Sequence, residues 1–113
     1  MKEYFKTGKI KYEGPKSTNP FAFKYYNADE EINGKKMSEH LKFAMSWWHT
    51  LCAKGTDQFG SDTMSRPWSD PDPMKESYNK AEAGFEFMQK LGIEYFCFHD
   101  VDMAPDTGTI KET

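Results

Sequence analysis

His99, Asp100 and Asp102 follow directly on the apolar run Phe96-Cys97-Phe98. A carboxylate three residues from an imidazole can accept a hydrogen bond from one ring nitrogen, which fixes the tautomer and leaves the other nitrogen for a substrate oxygen. Strands of α/β barrels and open parallel sheets deliver such side chains at their C-terminal edge. A plainer reading has the three residues only capping the next element, and spacing does not separate the two. The remaining histidines are weaker candidates. His40, beside Glu39, reads as a solvent-facing or capping residue, and His49 ends a candidate strand on the edge that His99 would share. A three-histidine metal site has no i,i+4 or H-x-H spacing behind it.

Trp47, Trp48, Phe59 and Trp68 offer aromatic faces for the C–H surface of a sugar ring, although most aromatic residues serve a core. On a strand Trp47 and Trp48 would point to opposite sides, so at most one would face a ligand. Phe59, large and apolar in a polar loop, suggests docking onto another surface. Cys52 and Cys97 sit far apart among apolar neighbours and read as buried free thiols, not as a disulfide or a metal pair. The sequence has no Gly-rich phosphate loop, no G-x-S-x-G elbow and no C-x-x-C, so nucleotide-binding, serine-hydrolase and thioredoxin chemistry lack a motif.

The elements that must position these groups come from a chain of 113 residues, enough for one domain. Packed as one globule it would expose about 6,400 Å². Aromatic residues make up 16% of it, too many for a disordered chain. The net charge is −3 and Arg66 is the single arginine, which argues against a nucleic-acid binder. The lysines at 2, 6, 9, 11 and 16, interspersed with Glu3 and Glu13, read as a solvated tail. With no apolar stretch of membrane length and no apolar signal core, the expected location is cytoplasmic.

Residues 1–36 form an expected leader, punctuated by Gly8, Gly14, Pro15, Asn19, Pro20, Asn33 and Gly34 and showing no helical or strand period. Its Phe21, Phe23, Tyr25 and Tyr26 could pin it to a neighbouring surface. From Met37 to Cys52 helical and alternating patterns compete; Ser38 could cap a turn through Leu41, and Phe43–Trp48 has the propensity of a buried strand. Residues 53–72 read as one long loop. Asp72 as N-cap, Pro73 at the first position and Gly92 as terminator predict a helix over 73–91. Its expected apolar stripe is Met74, Tyr78, Ala81, Phe85 and Met88, with a Glu76–Lys80 pair in addition. Ile93–Phe98 reads as a strand buried on both faces. Strand, helix and strand make a βαβ unit, and a parallel sheet needs more strands than two. The polar residues 106–113 read as the start of another loop or helix, so the sequence describes a piece of a larger α/β domain.

Phe43-Ala-Met-Ser-Trp-Trp-His-Thr-Leu-Cys52, Asp57-Gln-Phe-Gly60, Ala83-Gly-Phe-Glu-Phe-Met88 and Tyr95-Phe-Cys-Phe-His-Asp-Val-Asp102, in that order, resemble the N-terminal part of xylose isomerase. Lys9-Ile-Lys-Tyr-Glu-Gly14 resembles the extension of the longer subtype of that family. The resemblance implies the first βαβ unit of a (β/α)₈ TIM barrel, with residues 1–36 as N-terminal extension and 37–113 as first strand, long loop, first helix and second strand. It implies interconversion of xylose and xylulose by ring opening and a 1,2-hydride shift, assisted by two divalent ions (Mg²⁺, Mn²⁺ or Co²⁺) whose ligands lie on later strands. It gives His99 the role of opening the ring or binding the ring oxygen, Asp102 the role of orienting it, and Trp48 a place in the apolar pocket wall, with Trp47 as the one-residue alternative. Phe59 corresponds to a phenylalanine that enters the pocket of the adjacent subunit in a homotetramer. The 113 residues alone are expected to be inactive. Another metal-dependent barrel, such as a sugar epimerase or a repair endonuclease, and a non-catalytic interaction fragment are the alternatives; the absence of a basic groove argues against the endonuclease.

Overall fold

The computed structural model describes residues 2–56 and 58–105. Asp57 of the Asp57–Gly60 segment and the tail 106–113, expected to begin another element, lie outside the described residues.

The leader carries short strands where none was expected. β1 (Lys11–Tyr12) pairs in parallel with β2 (Ala22–Phe23), and β3 (Glu31–Ile32) pairs antiparallel with β4 (Lys35–Lys36). Two-residue strands are too short to show a period, but Asn33-Gly34 is itself a hairpin signal. Both residues take the positive φ (53° and 83°) that a two-residue turn between right-twisted strands requires. α1 (Met37–His40) follows at once, with Lys36 and not Ser38 at its N-cap position. His40 does have a capping-like role, since its Nε2 lies 2.7 Å from the Ile32 carbonyl and ties α1 to the hairpin.

The centre of the fold is the expected βαβ unit. β5 (Ala44–Ser46) gives way to the helical turn α2 (Trp47–Thr50), and a long loop then leads to α3 (Pro73–Leu91), β6 (Tyr95–Cys97) and the turn α4 (Asp100–Met103). β5 and β6 are parallel, with Ala44 opposite Tyr95, Met45 opposite Phe96 and Ser46 opposite Cys97. α3 has its expected bounds and caps: the Asp72 carboxylate accepts from the Met74 N–H, and Gly92 closes it at φ 73°. A helix and two parallel strands place the chain in the α/β class. Among the described residues no helix is long and apolar enough to cross a membrane.

Several local expectations are corrected. The first strand stops at Ser46, so Trp47 and Trp48 lie on a helical turn and do not alternate across a sheet. The reason is packing: Trp47 and Leu51 are fully buried against α3 at Gly84, where an added Cβ would stand 2.5 Å from Trp47 Cη2 and 2.7 Å from Leu51 Cδ1. That close approach moves the buried face of α3 to Ala83, Gly84 and Met88, leaving Met74, Tyr78 and Phe85 of the expected stripe exposed. Phe85 still meets Trp47 and Phe96 ring to ring, at 5.8 and 5.5 Å between centroids. Glu76 and Lys80 do not pair. Glu76 lies 3.7 Å from Lys54, and the Lys80 ammonium turns to Cys52. β6 is exposed along its length and so is Cys97, because β5 is its one partner strand among the described residues; both cysteines are free, with Cys52 half-buried.

The core joins Met45, Trp47, Leu51, Trp68, Ala83 and Met88. The Trp47 indole N–H is buried without a hydrogen-bond partner, a cost its ring packing offsets. The chain exposes 8526 Å², well above the roughly 6,400 Å² of a closed globule of this mass.

The leader reaches this core at its very start. Phe5 packs its ring against Trp68 and Phe87. The Tyr4 and Phe5 N–H groups donate to the Glu86 carboxylate (2.8 and 3.4 Å), and Lys90 donates to the Phe5 carbonyl, Glu3 and Glu86 (2.6, 2.9 and 3.0 Å). Farther along, Phe23 and Tyr26 form an edge-on chain of rings ending on Phe43, so two of the four candidate aromatic pins hold the leader. Phe21 and Tyr25 stay exposed.

Candidate functional site

β6 ends at Cys97, the apolar Phe98 follows, and His99 is then the N-cap of α4, with Asp102 at its third position. This local geometry unites the two readings of the sequence. Asp102 Oδ2 accepts from the His99 backbone N–H at 2.7 Å, as a capping carboxylate does, and lies 3.2 Å from His99 Nδ1. Asp102 is 7% exposed, whereas the His99 side chain is 66% exposed. A buried carboxylate thus lies beside an accessible imidazole.

α2 brings the third member. The Trp48 ring lies 4.7 Å from the His99 imidazole, centroid to centroid, at 42° between planes. Trp47 points away into the core, so of the two tryptophans Trp48 stands beside the histidine. His49 is exposed, with its ring 5.6 Å from Trp48. The described residues contain no group of three His, Cys, Asp or Glu able to hold a metal ion.

Phe59 is 83% exposed on the long loop, whose base is closed by hydrogen bonds. The Thr63 and Met64 N–H groups both donate to the Lys54 carbonyl (3.1 Å each), and the Thr63 hydroxyl donates to the Gly55 carbonyl. Arg66 completes the closure. Its guanidinium donates to the Ala53 and Thr50 carbonyls (2.7 and 2.9 Å) and lies 4.5 Å over the Trp68 ring. Sequence reasoning counted Arg66 only as a missing basic face. A lone planar fork in a lysine-rich chain, two residues before a tryptophan, was the available signal for this clamp.

Two further polar side chains went unassigned in the sequence. Cys52 Sγ lies 3.8 Å from Asp102 Oδ1, and the Lys80 ammonium lies 3.5 Å from the same sulfur. Burial pushes the Cys52 thiol above its ordinary range, and the Lys80 charge opposes that shift. They line an open cavity of about 270 Å³ with Lys54, Glu76 and Asp102. Chemically, the arrangement can accept a proton from a sugar hydroxyl at the His99 ring and return it to another oxygen, beside an aromatic face that shields one side.

No protein-family model matches the chain. Among curated proteins it is similar to the xylose isomerase of Phocaeicola vulgatus, 61% identical over 113 residues that cover 98% of this chain and 26% of that protein. The xylose isomerase of Bacteroides fragilis is 59% identical over 112 residues, 97% of this chain and 26% of its own. That of Thermoanaerobacterium thermosaccharolyticum is 56% identical over 115 residues, 100% of this chain and again 26% of its own. The chain thus spans about a quarter of the length of the curated relatives it matches.

Proposed function

From this end-to-end similarity to xylose isomerases we propose that the chain serves an aldose–ketose isomerase that converts xylose to xylulose, and that it forms the first βαβ unit of a (β/α)₈ barrel. The parallel β5–β6 pair, joined through α3, has the connectivity that such a barrel repeats. A barrel of that kind takes about 250 residues, so in this reading the 113 residues are inactive alone, and the divalent ions are held by residues other than those described.

The observation that carries the reading is the Asp102–His99 pair under Trp48 at the C-terminal end of β6. In the cyclic sugar, ring opening breaks the C1–O5 bond and makes a carbonyl at C1; the hydroxyl on C1 loses a proton and O5 gains one. His99, held beside Asp102 and 66% exposed, takes the first proton at its ring and supplies the second, so that no net charge is left. Trp48 keeps the imidazole plane and offers an apolar surface to the sugar. Phe59, on its closed loop, reaches the pocket of an adjacent subunit in a homotetramer, and its exposure supports that role. The enzyme works in the cytoplasm.

The test is His99→Asn in the enzyme containing this chain, assayed on xylose and on D-glyceraldehyde, an aldose too short to close a ring. Turnover of xylose is expected to fall about 10²-fold or more, and that of glyceraldehyde far less. Equal loss on both would end the ring-opening role.

A further inference from the structure

Asp102 is nearly buried, and its two carboxylate oxygens face different partners. Oδ2 accepts from the His99 N–H and lies 3.2 Å from Nδ1, while the Cys52 thiol lies 3.8 Å from Oδ1 and equally far from the Asp102 carbonyl. The thiol in turn receives a hydrogen bond from the Lys80 ammonium at 3.5 Å. Three parts of the chain meet here: the segment just after α2, the middle of α3 and the first turn of α4. The charges facing the carboxylate are few. Lys54 and Glu76 line the same cavity and pair with each other at 3.7 Å. On α4 itself, Asp100 accepts from the Val101 N–H. Lys80 is in no ion pair among the described residues, so its charge is available to the carboxylate through the sulfur.

We propose that Lys80 and Cys52 are positioning residues for ring opening: together they hold the Asp102 carboxylate turned toward His99. The ammonium holds the sulfur in place, and the thiol offers Oδ1 the donor that a buried carboxylate oxygen requires. This inference rests on the ring-opening reading of His99 and extends it to two residues that do not touch the sugar.

The experiment compares Lys80→Met, Lys80→Arg and Cys52→Ala in the enzyme containing this chain, by kcat/KM on xylose and on D-glyceraldehyde, with His99→Asn run in parallel. Lys80→Met is expected to lower the ratio of xylose to glyceraldehyde turnover. Lys80→Arg should restore it. Cys52→Ala, which keeps the cation and removes the donor, should lower the ratio several-fold and provides the second arm if Lys80→Met does not accumulate. Loss that arginine does not restore, or equal loss on the two aldoses, would overturn the proposal. If His99→Asn discriminates between the aldoses while the other variants do not, the positioning role alone fails. If His99→Asn does not discriminate, the ring-opening reading fails and takes the positioning role with it.

Discussion

Gly84→Ala should destabilise the protein although alanine is the better helix former. In an open helix interior the exchange gains about 1 kcal/mol. Here the new methyl would stand 2.5 Å from Trp47 Cη2, 2.7 Å from Leu51 Cδ1 and 3.0 Å from Trp47 Cζ2, all well inside van der Waals contact. Trp47 and Leu51 are fully buried, so either can yield only by repacking its neighbours. Overpacking of this kind costs about 1–3 kcal/mol, and two rigid partners under 3 Å put the cost at the upper end. The net loss is then about 2 kcal/mol, which at an m-value of about 2 kcal/mol/M moves a urea midpoint down by about 1 M. The assay is urea denaturation followed by tryptophan fluorescence in the protein carrying this chain. In a Trp47→Phe background the offending ring atoms are gone, so the same exchange should cost about 1 kcal/mol less. A midpoint that is unchanged or higher, or an identical cost in the two backgrounds, would refute the claim that Gly84 exists to admit Trp47.

The docking of the leader on α3 should depend on pH in a definite direction. Desolvation raises the Glu86 pKa, but hydrogen bonds from the Tyr4 N–H, Lys90 and the Phe5 N–H outweigh it and hold the carboxyl below its usual 4.5; hydrogen bonding to Glu3, with Glu86 adding to it, raises Lys90 above 10.5. The Glu86 contribution is therefore complete above pH 4.5 and lost as pH falls through the lowered value, while that of Lys90 is complete below 10.5 and lost as pH rises through the raised one. Amide-exchange protection at Tyr4 and Phe5, corrected for intrinsic rates, should hold at neutral pH and fall on acidification, and Glu86→Gln should remove the acid dependence; a wild-type response in that variant would refute it. Arg66→Lys keeps the charge but loses the fork and the flat face over Trp68, so it should cost about 1–2 kcal/mol and speed proteinase K cleavage between residues 53 and 66, and cleavage at the wild-type rate would show that the loop closes without the guanidinium.

What was legible in the sequence was what is decided locally. Asp72, Pro73 and Gly92 set the ends of α3 by cap chemistry, and three-residue spacing was enough to bring His99 and Asp102 together. The buried face of α3 was not legible. It is chosen by a glycine and two side chains, Trp47 of α2 and Leu51 just after it, and the larger apolar residues on the helix carry no mark of that. The same partner overrode the strand propensity of Trp47 and Trp48. The Glu76–Lys80 spacing was sound for an isolated helix, but Lys54 and Cys52, supplied by the loop, compete for both groups. Cys52 read only as a buried thiol and Lys80 only as the partner of Glu76 for a related reason: the chain Lys80–Cys52–Asp102 exists only through tertiary structure.

The strap that Tyr4 and Phe5 form across α3 fixes an order of events during synthesis. Its receptor, Glu86, is 82 residues downstream of Tyr4, so at about 5–20 residues per second the ribosome emits the strap roughly 4–16 s before its docking surface. In that interval Glu86 is not there to receive the Tyr4 and Phe5 N–H groups, and the lysines at positions 2, 6, 9 and 11 keep the waiting segment solvated. Completion of α3 is therefore the moment at which the beginning of the chain acquires its place.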